Sequence, residues 1–286
     1  MSETWTIRRI VKWIADDLAG RQFGSPRLDA ELIVAHALGL DRVKLYLDLD
    51  RPLAAPELAE IRALVARRRK HEPMAYLRGR REFFGRDMIV SPAVLVPRPE
   101  TETLVERALE LLPKESAGRV LDLCTGSGCI GVTLLAERTS VQGVLTDLSP
   151  EALGIAKQNA EKYDVLSRAD LRDGDLFAAL AKDVAAFDLV VANPPYIAAR
   201  ERASLDADVR DFEPAMALFA DDEGLAIVRR IAEGAAPHMT AGASLLIEIG
   251  AAQGSATRAI LESAGYTDVR IHADLAQRDR VAEGRR

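Results

Sequence analysis

The chain has 286 residues, 48% apolar and 29% charged, which suits a soluble globular protein long enough for about two domains. Acidic and basic residues run through the first twenty positions, and Asp122 and glycines break the most apolar stretch, residues 120–136, so neither a signal peptide nor a membrane span is expected. The net charge of −6 is uneven: residues 1–96 carry 17 Lys and Arg against 13 Asp and Glu (+4), while the remaining 190 carry 21 against 31 (−10), which hints at an anionic partner for the front of the chain.

In chain order, Ile7, Ile10, Val11, Ile14 and Leu18 recur at helical spacing and predict a first helix with one apolar face. Ser25-Pro26 reads as a cap and first turn of a second helix, which stops at Gly39. Residues 56–70 predict a third, with Leu58, Ile61, Leu64 and Val65 inward. Its end, Arg67-Arg68-Arg69-Lys70, supplies much of the positive charge and reads equally as a last turn favoured by the helix dipole. These segments make a small helical domain over residues 1–72. Residues 73–97 mix β-branched and aromatic residues with glycine and proline, predicting a hairpin that links two domains. Over residues 98–286, strand-like segments at 119–123, 141–147, 187–192, 243–249 and 266–272 alternate with helix-like ones starting near 130, 150, 222 and 252. Such alternation predicts an α/β domain, a parallel sheet covered by helices on both sides. His36, His71, His238 and His272 lack metal-ligand spacing, so no metal site is expected.

In an open parallel sheet, ligands bind beyond the carboxyl ends of the strands. The first such end carries Asp122-Leu-Cys-Thr-Gly-Ser-Gly-Cys-Ile-Gly131. Gly126, Gly128 and Gly131 satisfy G-x-G-x-x-G, and Asp147 follows 21 residues after Gly126 at the tip of the next strand, where its carboxylate can accept both hydroxyls of a ribose. NAD and S-adenosyl-L-methionine share those needs, but only the dinucleotide has a pyrophosphate to cradle at a helix N-terminus. Asp122, just before the loop, would repel pyrophosphate and attract a cation, which favours the sulfonium cofactor. NAD and an ordinary tight turn are the competing readings. At a later strand end Asp175 and Leu176 are placed to accept from an adenine amine and cover its ring, though an Asp-Gly-Asp cluster is also an ordinary turn. Two cysteines, Cys124 and Cys129, are too few for a disulfide framework or zinc site, and a reducing, cytoplasmic setting is expected.

The strand at 187–192 runs into Asn193-Pro194-Pro195-Tyr196. Proline fixes φ and lacks an N–H, so the strand leaves the sheet as a stiff corner. Such a corner suits a planar nitrogen whose lone pair is delocalised and which ordinary bases do not deprotonate. The Asn193 oxygen and the Pro194 carbonyl can accept its two N–H bonds and aim the lone pair at a methyl donor, while Tyr196 offers a face for stacking.

The chain resembles the peptide-chain release factor glutamine methyltransferases, through "SPRLDAELIVAHALGL", "EPMAYLRGRREFFG", "VPRPETE", "DLCTGSGCIG", "VANPPYI", "EPAMAL" and "LIEIG" in family order over almost the full length. The resemblance implies a class I S-adenosylmethionine-dependent methyltransferase fold, with a seven-stranded, mostly parallel, doubly wound sheet, a helical N-terminal domain that recognises a protein, and a connecting β-hairpin. It implies methyl transfer to the amide nitrogen of the glutamine in the Gly-Gly-Gln loop of bacterial class 1 release factors. By position, Cys124, Thr125, Gly126, Ser127 and Gly128 form the cofactor loop with Asp147, Asp175 and Leu176; Asn193 touches cofactor and substrate, Pro194, Pro195 and Tyr196 hold the glutamine, and Arg98 and Glu102 lie near it. Cys124 departs from the family, which usually has glycine there. A ribosomal-protein glutamine methyltransferase shares the same chemistry, an adenine-N6 DNA methyltransferase shares the corner, and a non-catalytic binder of the cofactor is a further alternative. A catalytic half at −10 argues against nucleic acid as substrate. No membrane partner is expected, and the expected state is a monomer.

Overall fold

The computed structural model describes residues 4–115, 117–180 and 186–286. The chain divides into two compact units, Met1–Gly79 with Ala207–Phe212, and Arg80–Asp206 with Glu213–Arg286.

The first unit is helical. Helix α1, Ile7–Gly20, starts where the Thr6 hydroxyl accepts from the Arg9 N–H, and it buries Ile7, Ile10, Ile14 and Leu18 as their spacing predicts. Helix α2, Pro26–Ala37, has proline in its first turn, but the Ser25 hydroxyl makes no capping bond; Gly39, at φ +64°, follows its end. Short helices α3, Arg42–Leu47, and α5, Met74–Arg78, flank α4, Ala55–Arg68, in the chain. Their apolar faces share one core that includes Ile33, Val34, Leu45, Ile61, Leu64 and Leu77. The basic run at the end of α4 is not a free cationic face. Arg67 pairs with Glu72, Arg68 with buried Asp29 at 2.8 Å, and Arg69 with Asp17 at 2.7 Å. Three of its four charges answer carboxylates of their own unit.

The second unit opens with an antiparallel hairpin, β1 Arg80–Phe83 and β2 Arg86–Ile89, followed by helix α6, Glu102–Leu111. The sheet is then built by β3 Arg119–Leu123, β4 Gln142–Asp147, β5 Ala169–Asp173 and β6 Phe187–Ala192, with helices α7 Cys129–Glu137 and α8 Pro150–Lys162 between the first three. A short parallel pair, β7 Ile197–Ala198 and β8 Phe219–Ala220, brackets helices α9 Ala207–Phe212, which groups with the first unit, and α10 Ala215–Leu218. Helix α11 Ala226–Ala235, β9 Met239–Glu248, α12 Gly254–Ser263, β10 Thr267–Ala273 and β11 Asp279–Arg285 complete the unit. The strand order is β10-β11-β9-β6-β3-β4-β5; β11 runs antiparallel to both neighbours and the other pairings are parallel. Residues 279–285, to which no element was assigned from sequence, are a strand of the sheet. They form its seventh strand because Arg280 and Glu283, which look solvent-bound in sequence, are buried against Asp274 and Arg107.

Two apolar layers cover the two faces of the sheet, one including Phe83, Leu104, Leu134 and Leu189, the other Leu121, Phe187, Val190 and Leu245. With β4 and β5 on one side of β3, and β6 and β9 on the other, the order reverses between β3 and β6. That switch point opens a crevice beyond their carboxyl ends. Leu123 and Ala192 pair across it, so the loop at 124–128 and the corner at 193–196 leave the sheet side by side.

Candidate functional site

A cleft of about 220 Å³ lies at this switch point, wholly within the second unit. Of the residues singled out by sequence, Cys124, Thr125, Gly126, Ser127, Asp147, Asp175, Leu176, Asn193, Pro195 and Arg98 line it. Gly128, Pro194, Tyr196 and Glu102 do not. Gly128, at φ +78°, is fixed by packing, since a Cβ there would stand 3.1 Å from Ala156 and from Val132. The Glu102 carboxylate accepts from the Phe84 N–H at 2.9 Å and so holds the hairpin turn.

The loop after β3 is tied down by its own donors. Thr125 N–H bonds the Thr146 carbonyl, Gly128 N–H the Thr125 carbonyl, Gly126 N–H the Asp147 carboxylate and Gly131 N–H the Asp122 carboxylate. Asp122 was expected to act on the ligand directly. It is instead fully buried outside the cleft, where Oδ2 also accepts from the Thr125 hydroxyl at 2.6 Å. Desolvation pushes its carboxyl up to about 7. Its influence on ligand choice is therefore indirect: it takes an N–H at the start of α7 that a pyrophosphate would need.

Asp147 closes β4 with each carboxylate oxygen holding one backbone N–H, Gly126 at 2.8 Å and Ser149 at 3.0 Å. Burial still holds its carboxyl above the usual range, and each oxygen keeps a further lone pair for a ligand hydroxyl. Leu148, Ala152, Leu176, Met216 and Ile227 give the lining an apolar side that suits a ring. Asp175 pairs with Arg230 at 2.8 Å, leaving its second oxygen for an amine. The donor set thus fits a nucleoside with an uncharged linkage better than a dinucleotide.

Cys124 and Leu176 both line this cleft with φ of +57° and +51°, the left-handed region that favours glycine. The departure from glycine at Cys124 therefore carries strain. Its side chain turns against the apolar layer that contains Phe187, and burial pushes its thiol up, so it is inert as a nucleophile. Burial pushes the Cys129 thiol up as well, to about 12.

At the corner, Asn193 Nδ2 donates to the Thr101 hydroxyl at 3.4 Å, which leaves Oδ1 as the acceptor. The Tyr196 hydroxyl donates to Glu248 at 3.2 Å, so the ring is turned toward the end of β9. The Tyr196 carbonyl accepts from Gln253 Nε2 at 2.9 Å, and Gly224 lies so close that a Cβ would overlap that carbonyl. Arg98 reaches Glu213 at 2.6 Å, and Glu213 also takes the Val96 N–H. Sequence reasoning assigned no role to Thr101, Glu213, Glu248 or Gln253, although Thr101, Glu213 and Glu248 stand inside three of the quoted motifs. Among the described residues no group of three His, Cys, Asp or Glu is placed to hold a metal, and no helix is long and apolar enough to cross a membrane.

The family models "PrmC N-terminal domain" and "Methyltransferase small domain" match residues 9–79 and 106–244. A methyltransferase from Pyrococcus furiosus shares the fold, with a TM-score of 0.53 at 14% identity over 71% of this chain and 90% of that one. The sheet is thus that of the class I S-adenosylmethionine-dependent methyltransferases. The release factor glutamine methyltransferase of Geobacter sulfurreducens is 40% identical over 99% of this chain and 98% of its own length. That of Cereibacter sphaeroides is 46% identical over 90% of each. With likeness of that degree running through both units, the chain belongs to the release factor glutamine methyltransferase family.

Proposed function

We propose that the cleft transfers a methyl group from S-adenosyl-L-methionine to the side-chain amide nitrogen of the glutamine in the Gly-Gly-Gln motif of bacterial class 1 release factors, in the cytoplasm. The enzyme is an S-adenosylmethionine-dependent protein-glutamine N-methyltransferase, and the cofactor supplies an electrophilic methyl on a sulfonium. Asp147 accepts the ribose hydroxyls, the loop at 124–127 lies along the nucleoside, and Leu176 and Asp175 face the base.

One observation carries the transfer step: Asn193 has its Nδ2 committed to Thr101, so its Oδ1 is left in the cleft as an acceptor. An amide nitrogen is a weak nucleophile because its lone pair is shared with the carbonyl. Asn193 Oδ1 accepts one of its N–H bonds and the Pro194 carbonyl, which does not line the cleft but is the next acceptor along the corner, takes the other, so that the lone pair is held toward the methyl and catalysis is positioning of a reluctant group. The corner is pre-set by two prolines, Gln253 and Gly224, and pays little ordering entropy when the glutamine arrives. Tyr196 serves as a strut of this corner through Glu248, and Pro195 supplies the apolar wall.

The test is incubation of the protein with labelled cofactor and, in parallel, purified release factors, ribosomal proteins and DNA. Label is expected on the release factor and is expected to vanish when the Gly-Gly-Gln glutamine is replaced. Label confined to a ribosomal protein or to adenine would overturn the substrate assignment.

A further inference from the structure

S-adenosylmethionine carries one negative group, the carboxylate at the end of its methionine chain, and neither Asp147 nor Asp175 can answer it. Among the described residues two cations line the cleft, Arg98 and Arg230. Arg230 pairs at 2.8 Å with Asp175, itself a lining residue. Arg98 differs, because its partner stands outside the lining: Glu213, with a side chain only 1% exposed, holds Arg98 Nη2 at 2.6 Å through Oε1 and the Val96 N–H through Oε2. The Nε and Nη1 groups of Arg98 donate to no protein group among the described residues. The guanidinium is thus gripped at one corner and keeps further donors for what enters the cleft. Pro97 and Pro99 flank Arg98 and confine its backbone, which stands extended at φ −102° and ψ 143°.

Resting on the reading of the cleft as an S-adenosylmethionine site, we infer that Arg98 is the counter-ion of the cofactor's methionine carboxylate and that Glu213 is the positioning residue that presents it. This moves Arg98 from the glutamine, where the resemblance placed it, to the cofactor. Its place in the fold supports the assignment. Asp147 and Asp175 follow β4 and β5, whereas Arg98 lies one turn from Thr101, whose hydroxyl meets Asn193 beyond β6. β4 and β6 flank β3 and lie two strand spacings apart, about 10 Å. The methionine chain leaves the ribose, passes through the sulfonium that must face Asn193 and ends in the carboxylate, so that group belongs on the side of Arg98 and not of Asp147. Chemistry supports it as well. The acceptor glutamine is uncharged and would offer a guanidinium only ordinary hydrogen bonds; a carboxylate accepts charge-assisted ones, roughly twice as strong, and can take two in parallel. Glu213 has an electrostatic purpose too, since an arginine without its own carboxylate would repel the sulfonium.

The test is calorimetry on the full-length protein with S-adenosylmethionine, its decarboxylated analogue and 5′-methylthioadenosine, which keeps the nucleoside and lacks the amino acid. The wild type is expected to bind S-adenosylmethionine about ten- to a hundredfold more tightly than the decarboxylated compound. Arg98→Met alone would leave Glu213 a buried charge without its partner, so the double variant Arg98→Met/Glu213→Gln is used. It is expected to bind 5′-methylthioadenosine as the wild type does and to prefer the carboxylated cofactor by no more than about twofold. Glu213→Gln alone, which keeps Arg98 but weakens the grip on it, is expected to lose part of the preference. A wild type that binds the two cofactors alike, or a double variant that binds 5′-methylthioadenosine normally and keeps the wild-type preference, would overturn the proposal. An unchanged preference together with a raised release-factor KM would return Arg98 to the glutamine. Failure of the wild type to bind any of the three compounds would overturn the reading of the cleft itself, so the two failures are told apart.

Discussion

Asn193 and Asp147 line one cleft but serve different partners, and truncating each should separate transfer from binding. Asn193→Ala removes an acceptor that matters only once the nitrogen must be aimed. Cofactor affinity by calorimetry is expected to hold, while single-turnover transfer falls by about a hundredfold or more, the usual effect of losing one pre-placed polar group. Full activity in this variant would exclude the orienting role. Asp147→Ala acts earlier: it removes a carboxylate that also anchors the Gly126 and Ser149 N–H groups, so the loop loosens as the ribose contacts vanish. Charge-assisted hydrogen bonds contribute about 1.5–3 kcal/mol each, so cofactor affinity should fall by at least about tenfold. Both residues were visible in the sequence because each stands at a strand end inside a stretch whose glycines or prolines have a local reason. Thr101 and Glu248 lay inside quoted motifs but, like the isolated Gln253, received no role, since a lone Thr, Glu or Gln has no chemistry to read until the fold brings it to the corner.

Among the elements, the corner is a composite of β6, β9, the turn before α11 and the start of α12. Gly224 makes the point: its φ of +83° and its approach to the Tyr196 carbonyl leave no room for a side chain. Gly224→Ala must push the turn and the carbonyl apart, and overpacking of this kind costs about 1–3 kcal/mol. The variant is expected to melt earlier and to lose transfer more than cofactor binding; a rate equal to wild type would show that the corner tolerates displacement. Strands β3, β4, β6 and β9 were legible because a strand buried on both faces reads as an apolar run. β11 was not. Its Arg280 pairs with Asp274 across the turn before it, and its Glu283 pairs with Arg107, 176 residues away in α6, a partner that no local window contains. The pairs made by Arg68 and Arg69 were hidden in the same way, their carboxylates Asp29 and Asp17 lying 39 and 52 residues away.

For the whole molecule, burial and pairing sort the carboxyls into two groups that act on stability with opposite sign. Asp17, hydrogen-bonded by Arg69, and Asp274, hydrogen-bonded by the Arg278 N–H, are held below the usual range, so what they contribute is present above about pH 4 and is lost on acidification. Asp122 and Glu248 are pushed up to about 7 by desolvation. Around Asp122 the Thr125 hydroxyl and Gly131 N–H oppose the shift and Asp147 adds to it; around Glu248 the Thr101 and Tyr196 hydroxyls and Arg280 oppose it and Glu100 adds to it. A folded-state pKa above the unfolded one means stability that is complete below the unfolded value and lost as pH rises through the folded one. The melting temperature of the cofactor-free protein is therefore expected to be highest near about pH 5 and to decline toward about pH 8. Glu248→Gln deletes one of the buried charges responsible. Its melting profile should be flatter over that range, and at about pH 8 it should be more stable than wild type, on the order of a few kcal/mol. A profile parallel to that of the wild type would mean that Glu248 is not the buried charge that drives the decline.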